Sequence, residues 1–183
     1  QPLRSKHCKS CERCIARYDH HCFFIGNCVG ENNHLLFMVY LALESVLVFW
    51  TMIVSFDGYQ KAPNLDSWLI NNGMVLFVTV VSGFSVFLPS GLFFYHFFLM
   101  LTNQTSWEFS KRNKITYLRE VPETYFPFDA GIIKNICWFC VSRTLQRSYT
   151  RWEILLPPVE VMKENSRRQF NIWNNQYYSC FEC

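Results

Sequence analysis

Cysteine and histidine residues crowd the first 34 positions of the chain. Five cysteines stand there with three histidines among them: Cys8, Cys11, Cys14, Cys22 and Cys28, with His7, His20 and His21. Histidines take no part in a disulfide framework, whereas thiolates and imidazoles together are the ligands that Zn²⁺ prefers. The pattern predicts a small zinc-bound, cysteine-rich domain in a reducing compartment, facing the cytosol.

One complete zinc set can be assembled from these residues. Cys8-x2-Cys11, His21 and Cys28 together offer three thiolates and one imidazole, which would close a tetrahedral structural site. A domain of some 34 residues buries too little apolar surface to fold alone, so metal is the expected source of its order.

His7 and Cys14 make only half of a second set of the same type. The chain opens on Gln1, with no initiator Met and no signal region, and is interpreted as a fragment. We expect a Cys-x2-Cys pair immediately upstream to complete the second zinc site. No internal repeat or low-complexity tract is evident.

Cys22 stands outside both ligand sets and has His20 two residues before it. Cys22 is therefore a candidate nucleophile, with His20 as the base that takes its proton and Asp19 as the group that orients the imidazole. Cysteine pairs of this kind are more often zinc knuckles than active sites. On spacing alone, Cys22 could equally be a further ligand.

Two long apolar runs follow the cysteine-rich segment 1–34. Residues 35–56 and 74–101 each contain enough apolar residues in sequence to cross a bilayer as a helix. The polar stretch 57–73 between them is rich in turn-forming residues and is predicted to be a lumenal loop. The remaining segment, 102–183, shows no clear period and is assigned as a cytosolic C-terminal region.

Charge indicates how these segments face the bilayer. Lys and Arg residues number five before residue 35, one in the connecting loop and eleven after residue 101. The positive-inside rule therefore places both flanks in the cytosol. The net charge of +3 is small and scattered, which argues against nucleic acid as a partner.

Three further motifs resemble one family. The string Tyr18-Asp19-His20-His21-Cys22 and the string Asn27-Cys28-Val29-Gly30 followed by Asn33 resemble the cysteine-rich domain of DHHC-type protein S-acyltransferases. Thr105-Ser106-Trp107-Glu108 looks like the family's Thr-Thr-x-Glu motif, and Pro127-Phe128-Asp129 with Gly131 and Asn135 looks like its C-terminal aromatic motif. Of these, Thr105, Ser106 and Glu108 are expected to support the site.

The resemblance implies an all-α integral membrane protein of four helices, of which this chain holds the third and fourth. It implies a protein S-palmitoyltransferase in which Cys22 takes a long acyl chain from acyl-coenzyme A and passes it to a protein thiol. The expected partners are the bilayer and cytosolic or membrane proteins with cysteines close to the membrane. Two structural zinc ions and a Golgi or endoplasmic reticulum location are expected as well.

Basic residues of the first segment could bind the phosphates of acyl-coenzyme A. They are Arg4, Lys6, Lys9, Arg13 and Arg17. Ordinary solvated charge is the plainer interpretation for two or three of them. Two other functions stay open from the sequence, namely a membrane-anchored zinc module that recruits partners and an inactive, truncated isoform.

The chain departs from the family pattern in three places, one of them Ser106, which replaces Thr and keeps the hydroxyl. Phe23-Phe24 stands where the family usually has Pro-Trp after the reactive cysteine, which removes a rigid turn and an indole. Phe126 replaces the Asn that often precedes Pro-Phe-Asp. The departure at Phe23-Phe24 is expected to affect rate or acyl-chain preference.

Overall fold

The computed structural model describes residues 3–119, 121–145 and 160–163. Its four strands are β1 Lys6–Cys8, β2 Arg13–Ile15, β3 His20–Cys22 and β4 Asn27–Val29. Its helices are α1 His34–Asp57, α2 Leu65–Ser85, α3 Phe87–Leu101, α4 Ser106–Lys111 and α5 Ile132–Leu145, with single 3₁₀ turns at Arg112–Lys114 and Thr116–Leu118. The chain is mostly helical, but the expected all-α class overlooks the strands of the cysteine-rich segment.

Two compact units divide the described residues. The first joins residues from both ends of the chain, those up to Leu35 and those from Phe97 onward, and the second is Leu36–His96. The first unit is therefore discontinuous in sequence. The candidate zinc ligands and the Asp19 to Cys22 tetrad all belong to it.

Helices long and apolar enough to span a membrane account for most of the second unit. His34–Asp57 and Leu65–Leu101 both qualify, and only 17% and 11% of their most apolar windows are buried. The core helix of a soluble protein would be mostly buried, so this exposure favours a lipid-facing role. A short interruption at Val86 separates α2 from α3, close to Pro89, which has no N–H to donate to the preceding turn.

The connection between the spans is shorter than the sequence indicated. Helix α2 begins at Leu65, where the side chain of Asn64 caps it by accepting the N–H three residues on. Asn72 lies inside this helix, and its amide group bonds the N–H and the C=O of Gln60. The polar residues that suggested a loop over 57–73 thus serve the helix and its packing.

Paired hairpins and a helical core build the first unit. β1 pairs with β2 and β3 pairs with β4, both antiparallel. The segment after α3 has an apolar core whose buried members are Ile115, Leu118, Val121, Tyr125, Phe128 and Met162. Trp107 of α4 packs against this core and also against the cluster around Cys8 and Cys28, with its ring 5.9 Å from that of Tyr18. The indole therefore joins the hairpins to the later segment.

Gly30 lies where the two hairpins approach each other most closely. A Cβ built there would be 2.6 Å from Ile15 Cγ2 and 2.9 Å from the Ala16 carbonyl oxygen. No ordinary side chain fits without backbone movement, because one of these neighbours is backbone.

We expect Gly30→Ala to lower the free energy of unfolding of the first unit by about 1–3 kcal/mol, as overpacking does. Thermal unfolding and limited proteolysis of the purified full-length protein would measure the loss. Gly73→Ala is the matched control, because a Cβ at Gly73 has no neighbour within 4 Å. Equal unfolding curves for the two variants would contradict the close approach.

Candidate active site

Strand alternation divides the tetrad between two faces. β3 spans His20–Cys22, and successive side chains of a strand point to opposite faces. His20 and Cys22 therefore share one face, while His21 points to the other, opposite Cys28 in the ladder. One short strand thus places a candidate metal ligand on one face and a candidate nucleophile with its candidate base on the other.

Four side chains converge on the metal-facing side. His21 Nδ1 lies 3.7 Å from Cys8 Sγ, 3.4 Å from Cys11 Sγ and 3.5 Å from Cys28 Sγ, and the sulfur atoms of Cys11 and Cys28 are 3.5 Å apart. A tetrahedral zinc ion separates its sulfur and nitrogen ligands by about 3.5–3.8 Å. The residues present fit a structural Cys₃His zinc site, as the spacing indicated.

The remaining pair, His7 and Cys14, also comes together. They face each other across the β1–β2 ladder, and His7 Nδ1 is 3.8 Å from Cys14 Sγ. This separation matches that of two zinc ligands. They form half of a coordination set within the described residues.

The two hairpins are versions of one pattern. His7-Cys8-x5-Cys14 in the first corresponds to His21-Cys22-x5-Cys28 in the second, and each pairs its His with its last Cys across the ladder. The expectation that the chain has no internal repeat is therefore wrong. At 14 residues the repeat is too short to show as self-similarity outside its cysteines and histidines.

The repeat explains why Cys22 resembles a metal ligand and is not in the metal cluster. Cys22 holds the position of Cys8, but Ile25 stands where the first hairpin has Cys11. The backbone amides two and three residues after each cysteine point at its sulfur, those of Ser10 and Cys11 at Cys8 and those of Phe24 and Ile25 at Cys22. Cys22 thus lies in a turn like that of Cys8, but no second thiolate corresponding to that of Cys11 lies beside it in the part of the chain that the structure describes.

These amides favour the thiolate of Cys22. Burial raises the pKa of this thiol, but the N–H groups of Ile25 and Phe24 and the side chain of His20 outweigh it and lower the pKa below its usual value. For His20, burial lowers the pKa, and the hydrogen bond and charge of Asp19, with the Cys22 side chain, outweigh it and raise the pKa. Both shifts move the pair toward the thiolate and the imidazolium.

Asp19 orients the base from a buried position. It is only 1% exposed, and its Oδ2 lies 2.7 Å from His20 Nδ1. Its carboxylate accepts two more hydrogen bonds from Ser106, from the backbone N–H to Oδ1 and from the hydroxyl to Oδ2, each 2.7 Å long. His34 Nε2 is 3.8 Å from Oδ1. A carboxylate held in this way keeps the imidazole in one orientation.

A capping box places Ser106. Thr105 caps α4 by accepting the Glu108 N–H, while Glu108 Oε2 accepts the Thr105 N–H. Glu108 also forms a bidentate pair with Arg4, with Nε 2.8 Å from Oε1 and Nη2 2.7 Å from Oε2. Through this pair, the start of α4 is tied to the residue that precedes the hairpins.

Asn103 joins two of the three arginines of the cysteine-rich segment. Its side-chain oxygen accepts from Arg4 Nη1 at 3.2 Å and from Arg17 Nη2 at 2.7 Å, and its amide donates to the carbonyl of Phe128. Arg4, Arg17 and Asn103 all have positive φ, at 62°, 44° and 49°. Left-handed backbone at non-glycine residues is strained, so the contacts among them must offset its cost.

These contacts correct part of the coenzyme A prediction. Arg4 and Arg17 are buried, and both guanidiniums are occupied inside the unit, so neither is presented to a phosphate in solution. Lys6 is half-buried, with its Nζ 3.1 Å from the ring centroid of Trp107. Lys9 and Arg13 are exposed on the first hairpin and remain candidates.

The remaining candidate residues of the described chain lie at the tip of the second hairpin and on α5. Phe23 and Phe24, at the tip of the β3–β4 hairpin, are 90% and 79% exposed. Cys137 and Cys140 are exposed on α5, and Cys180 and Cys183 lie outside the described residues. Asn135 donates to the carbonyl of Leu101, which pins α5 to the end of α3.

Sequence reasoning missed the roles of Asn103 and of the pair between Arg4 and Glu108. A signal for the latter existed, because Thr105-x-x-Glu108 is a capping-box pattern and marks the start of a helix. Nothing in the composition marks Asn103, which acts through the hydrogen bonds of its side chain to Arg4, Arg17 and Phe128. His34 was likewise not expected beside Asp19.

Comparison with known proteins identifies the family. The model of the DHHC palmitoyltransferase family matches residues 1–113. The chain belongs to this family. It is 41% identical over 182 residues to "Putative ZDHHC-type palmitoyltransferase 7" of Dictyostelium discoideum, covering 98% of this chain and 41% of that protein.

Other relatives agree over a shorter part of the chain. Palmitoyltransferase ZDHHC12 of Homo sapiens is 40% identical over 139 residues, which are 76% of this chain and 51% of that protein. Protein S-acyltransferase 10 of Arabidopsis thaliana is 36% identical over 140 residues, with 76% and 40% covered. The chain spans about half the length of these relatives, or less.

The contact between Ser106 and Asp19 predicts a change in thiol reactivity. Removing the hydroxyl with Ser106→Ala takes one charge-assisted bond from Asp19 and loosens His20, so alkylation of Cys22 at neutral pH should slow by about tenfold. Ser106→Thr should keep the wild-type rate because it keeps the hydroxyl.

Mass spectrometry of alkylated peptides would measure this rate site by site. Ser110→Ala is the control, since the Ser110 hydroxyl bonds only the carbonyl of Ser106 one turn earlier. If both alanine variants react at the wild-type rate, Ser106 has no positioning role.

The metal cluster predicts a loss that does not depend on activity. Cys28→Ser should remove one zinc ion per chain from the purified full-length protein and expose the hairpins to protease, because metal replaces a core in so small a domain. Elemental analysis and limited proteolysis provide the measurements. Cys140→Ser should leave both unchanged. Full zinc content in Cys28→Ser would contradict the ligand set.

Proposed function

We propose that this chain carries the catalytic part of a protein S-palmitoyltransferase. The observation that carries the proposal is the arrangement of Asp19, His20 and Cys22. The buried carboxylate of Asp19 orients the imidazole of His20, which is hydrogen-bonded to the Cys22 thiol, and the pKa of that thiol is lowered. Such an arrangement activates a thiol as a nucleophile. Membership of the DHHC family and relatives named as palmitoyltransferases support the same reaction.

The first step would acylate Cys22. His20 accepts the thiol proton, and the thiolate attacks the carbonyl carbon of a fatty acyl-coenzyme A. A new carbon–sulfur bond to Cys22 forms as the thioester bond to coenzyme A breaks. The departing coenzyme A thiolate takes the proton from His20, so atoms and charge balance. Asp19 stabilises the imidazolium that exists between these events.

The second step would transfer the acyl group to a protein. His20 accepts the proton of a substrate cysteine, whose thiolate attacks the Cys22 thioester and releases Cys22, which recovers the proton. The acyl group must come from and go to apolar surroundings, so the substrates would carry cysteines close to the membrane. The exposed rings of Phe23 and Phe24 directly follow Cys22 and offer apolar contact to the chain.

Zinc would supply structure rather than chemistry. One ion would bind Cys8, Cys11, His21 and Cys28, and a second would bind His7 and Cys14 together with two cysteines upstream of this chain. Since His21 is a ligand and lies between His20 and Cys22, the metal would hold the reactive strand. No proton or acyl transfer passes through the ion.

A membrane position completes the proposal. The apolar helices would be the third and fourth spans of four, with both flanks of the pair in the cytosol, where acyl-coenzyme A is found. The charge count of the sequence supports this orientation. Exposed Lys9 and Arg13 would contact coenzyme A phosphates. A Golgi or endoplasmic reticulum location fits a short first span.

The decisive experiment is self-acylation of the full-length protein. Incubation with a labelled palmitoyl-coenzyme A should leave hydroxylamine-sensitive label on wild type and on Cys137→Ser, a control that removes an exposed cysteine of α5. Cys22→Ser should lose at least about 99% of the label, because a hydroxyl at neutral pH is a far poorer nucleophile. Equal label on Cys22→Ser would instead favour a zinc module that recruits partners.

A further inference from the structure

A cavity outside the active site opens in the first unit. Its volume is about 430 Å³, within the roughly 300–1,000 Å³ typical of small-molecule sites. Helix α4, the 3₁₀ turn that follows it and the turn near Phe126 form its walls. The lining residues that matter here are Gln104, Phe109, Lys111, Arg112, Lys114 and Glu123. None of them has a role in the proposed acyl transfer.

The charge of this lining favours an anion. Among the described residues of the lining, Lys111, Arg112 and Lys114 outnumber the one carboxylate, that of Glu123. Both lysines are exposed at the mouth, whereas Arg112 is buried. The Nη2 atom of Arg112 donates to the carbonyls of Pro122 and Tyr125, which fixes the guanidinium in the wall. A fixed cation with two mobile ones around it is an arrangement that suits a phosphate.

Two buried polar atoms of the lining lack a partner among the residues the structure describes. One is Oε1 of Gln104, a residue only 3% exposed, and the other is Nε of Arg112. Leaving such buried groups without a hydrogen bond is unfavourable. The first requires a donor and the second an acceptor. A ligand with both a phosphate and hydroxyl groups supplies the two, after small side-chain movements.

The rim of the cavity lies beside the end of a membrane-spanning helix. The half-exposed ring of Phe109 contacts the ring of Phe98 edge-on, with the centroids 6.1 Å apart. Phe98 belongs to the last turn of α3, and Gln104 follows that helix by only three residues. An apolar rim next to basic side chains at the end of a span is what an anionic lipid surface recognises.

We propose that this cavity binds the phosphorylated polyol headgroup of an anionic membrane lipid. The phosphate would lie between Lys111, Lys114 and Arg112, and a ring hydroxyl would donate to Gln104. The rim at Phe109 would contact the acyl chains of the same lipid. This inference rests on the proposed membrane position of the helices and does not depend on the chemistry of Cys22.

Amine labelling of the full-length protein in lipid nanodiscs provides the test. Acetylation of Lys111 and Lys114 should slow about tenfold in discs containing phosphatidylinositol 4-phosphate, relative to discs of phosphatidylcholine alone or with phosphatidylserine. Lys61, exposed between α1 and α2 and outside both proposed binding sites, is the internal reference and should not change. Soluble inositol 1,4-bisphosphate and coenzyme A, added to phosphatidylcholine discs, form the arms that separate a free phosphate from a lipid.

Variants test the same site by lipid retention in native mass spectrometry. The double variant Lys111→Gln, Lys114→Gln should retain phosphatidylinositol 4-phosphate roughly thirtyfold less than wild type, from two lost charges near the surface. Arg119→Gln removes an exposed charge that does not line the cavity and should retain it normally.

Two outcomes of the labelling experiment overturn the inference. Equal protection by a soluble phosphate would make the ligand a solute rather than a lipid, and no protection in any arm would remove the site. Self-acylation of Cys22, measured on the same preparations, keeps the two proposals separate. A labelled Cys22 without lipid binding refutes the cavity alone, and lipid binding without label refutes the acyl transfer alone.

Discussion

The ion pair between Arg4 and Glu108 holds the first unit together. The two residues are 104 positions apart and both are buried, so they join the segment before the hairpins to the helix after the membrane spans. A buried pair stabilises only when its other polar atoms are also satisfied. Here Asn103 accepts from Arg4, and Thr105 and Tyr117 donate to Glu108. The position of α4, and with it the contact between Ser106 and Asp19, depends on this network.

A second constraint comes from the repeated hairpin. Each copy turns so that backbone amides face the sulfur of its first cysteine, which suits a thiolate whether or not a metal is near. In the first copy that cysteine belongs to a ligand pair, and in the second Ile25 leaves Cys22 without a second thiolate. The same turn therefore serves two purposes. In the proposed mechanism, the reactivity of Cys22 would follow from this missing ligand together with the candidate base His20, which β3 places on the same face.

The clustering of the candidate metal ligands could be predicted, because residues that bind metals or act as nucleophiles are of few types and occur at recognisable spacings. Cys8, Cys11, His21 and Cys28 come together as their spacing required. The sequence does not show in the same way which basic residues are buried. Arg4 and Arg17 have the same local sequence character as the exposed Lys9, because the partners that bury them lie nearly 90 or more residues away.

The turn-forming residues of segment 57–73 led to a wrong prediction of where the second apolar helix begins. Asn72 and its neighbours are turn-forming types, yet they continue α2, because the side chain of Asn72 finds its partners in the backbone of Gln60. Propensity is a weak guide where tertiary contacts satisfy a polar side chain. The beginning of α2 was set by its cap at Asn64, a feature that sequence patterns do contain.

The discontinuity of the first unit has a consequence for how the protein is made. Asp19 leaves the ribosome with the hairpins, but Ser106, which donates to its carboxylate, and Glu108, which forms the capping box that places Ser106, are synthesised only after both apolar helices. Domains generally fold as units during synthesis, and this one cannot close until its later half exists. In the proposed mechanism, Cys22 would thus acquire a base held by Asp19 and Ser106 only once the intervening apolar helices have been translated, which would delay its reactivity until then.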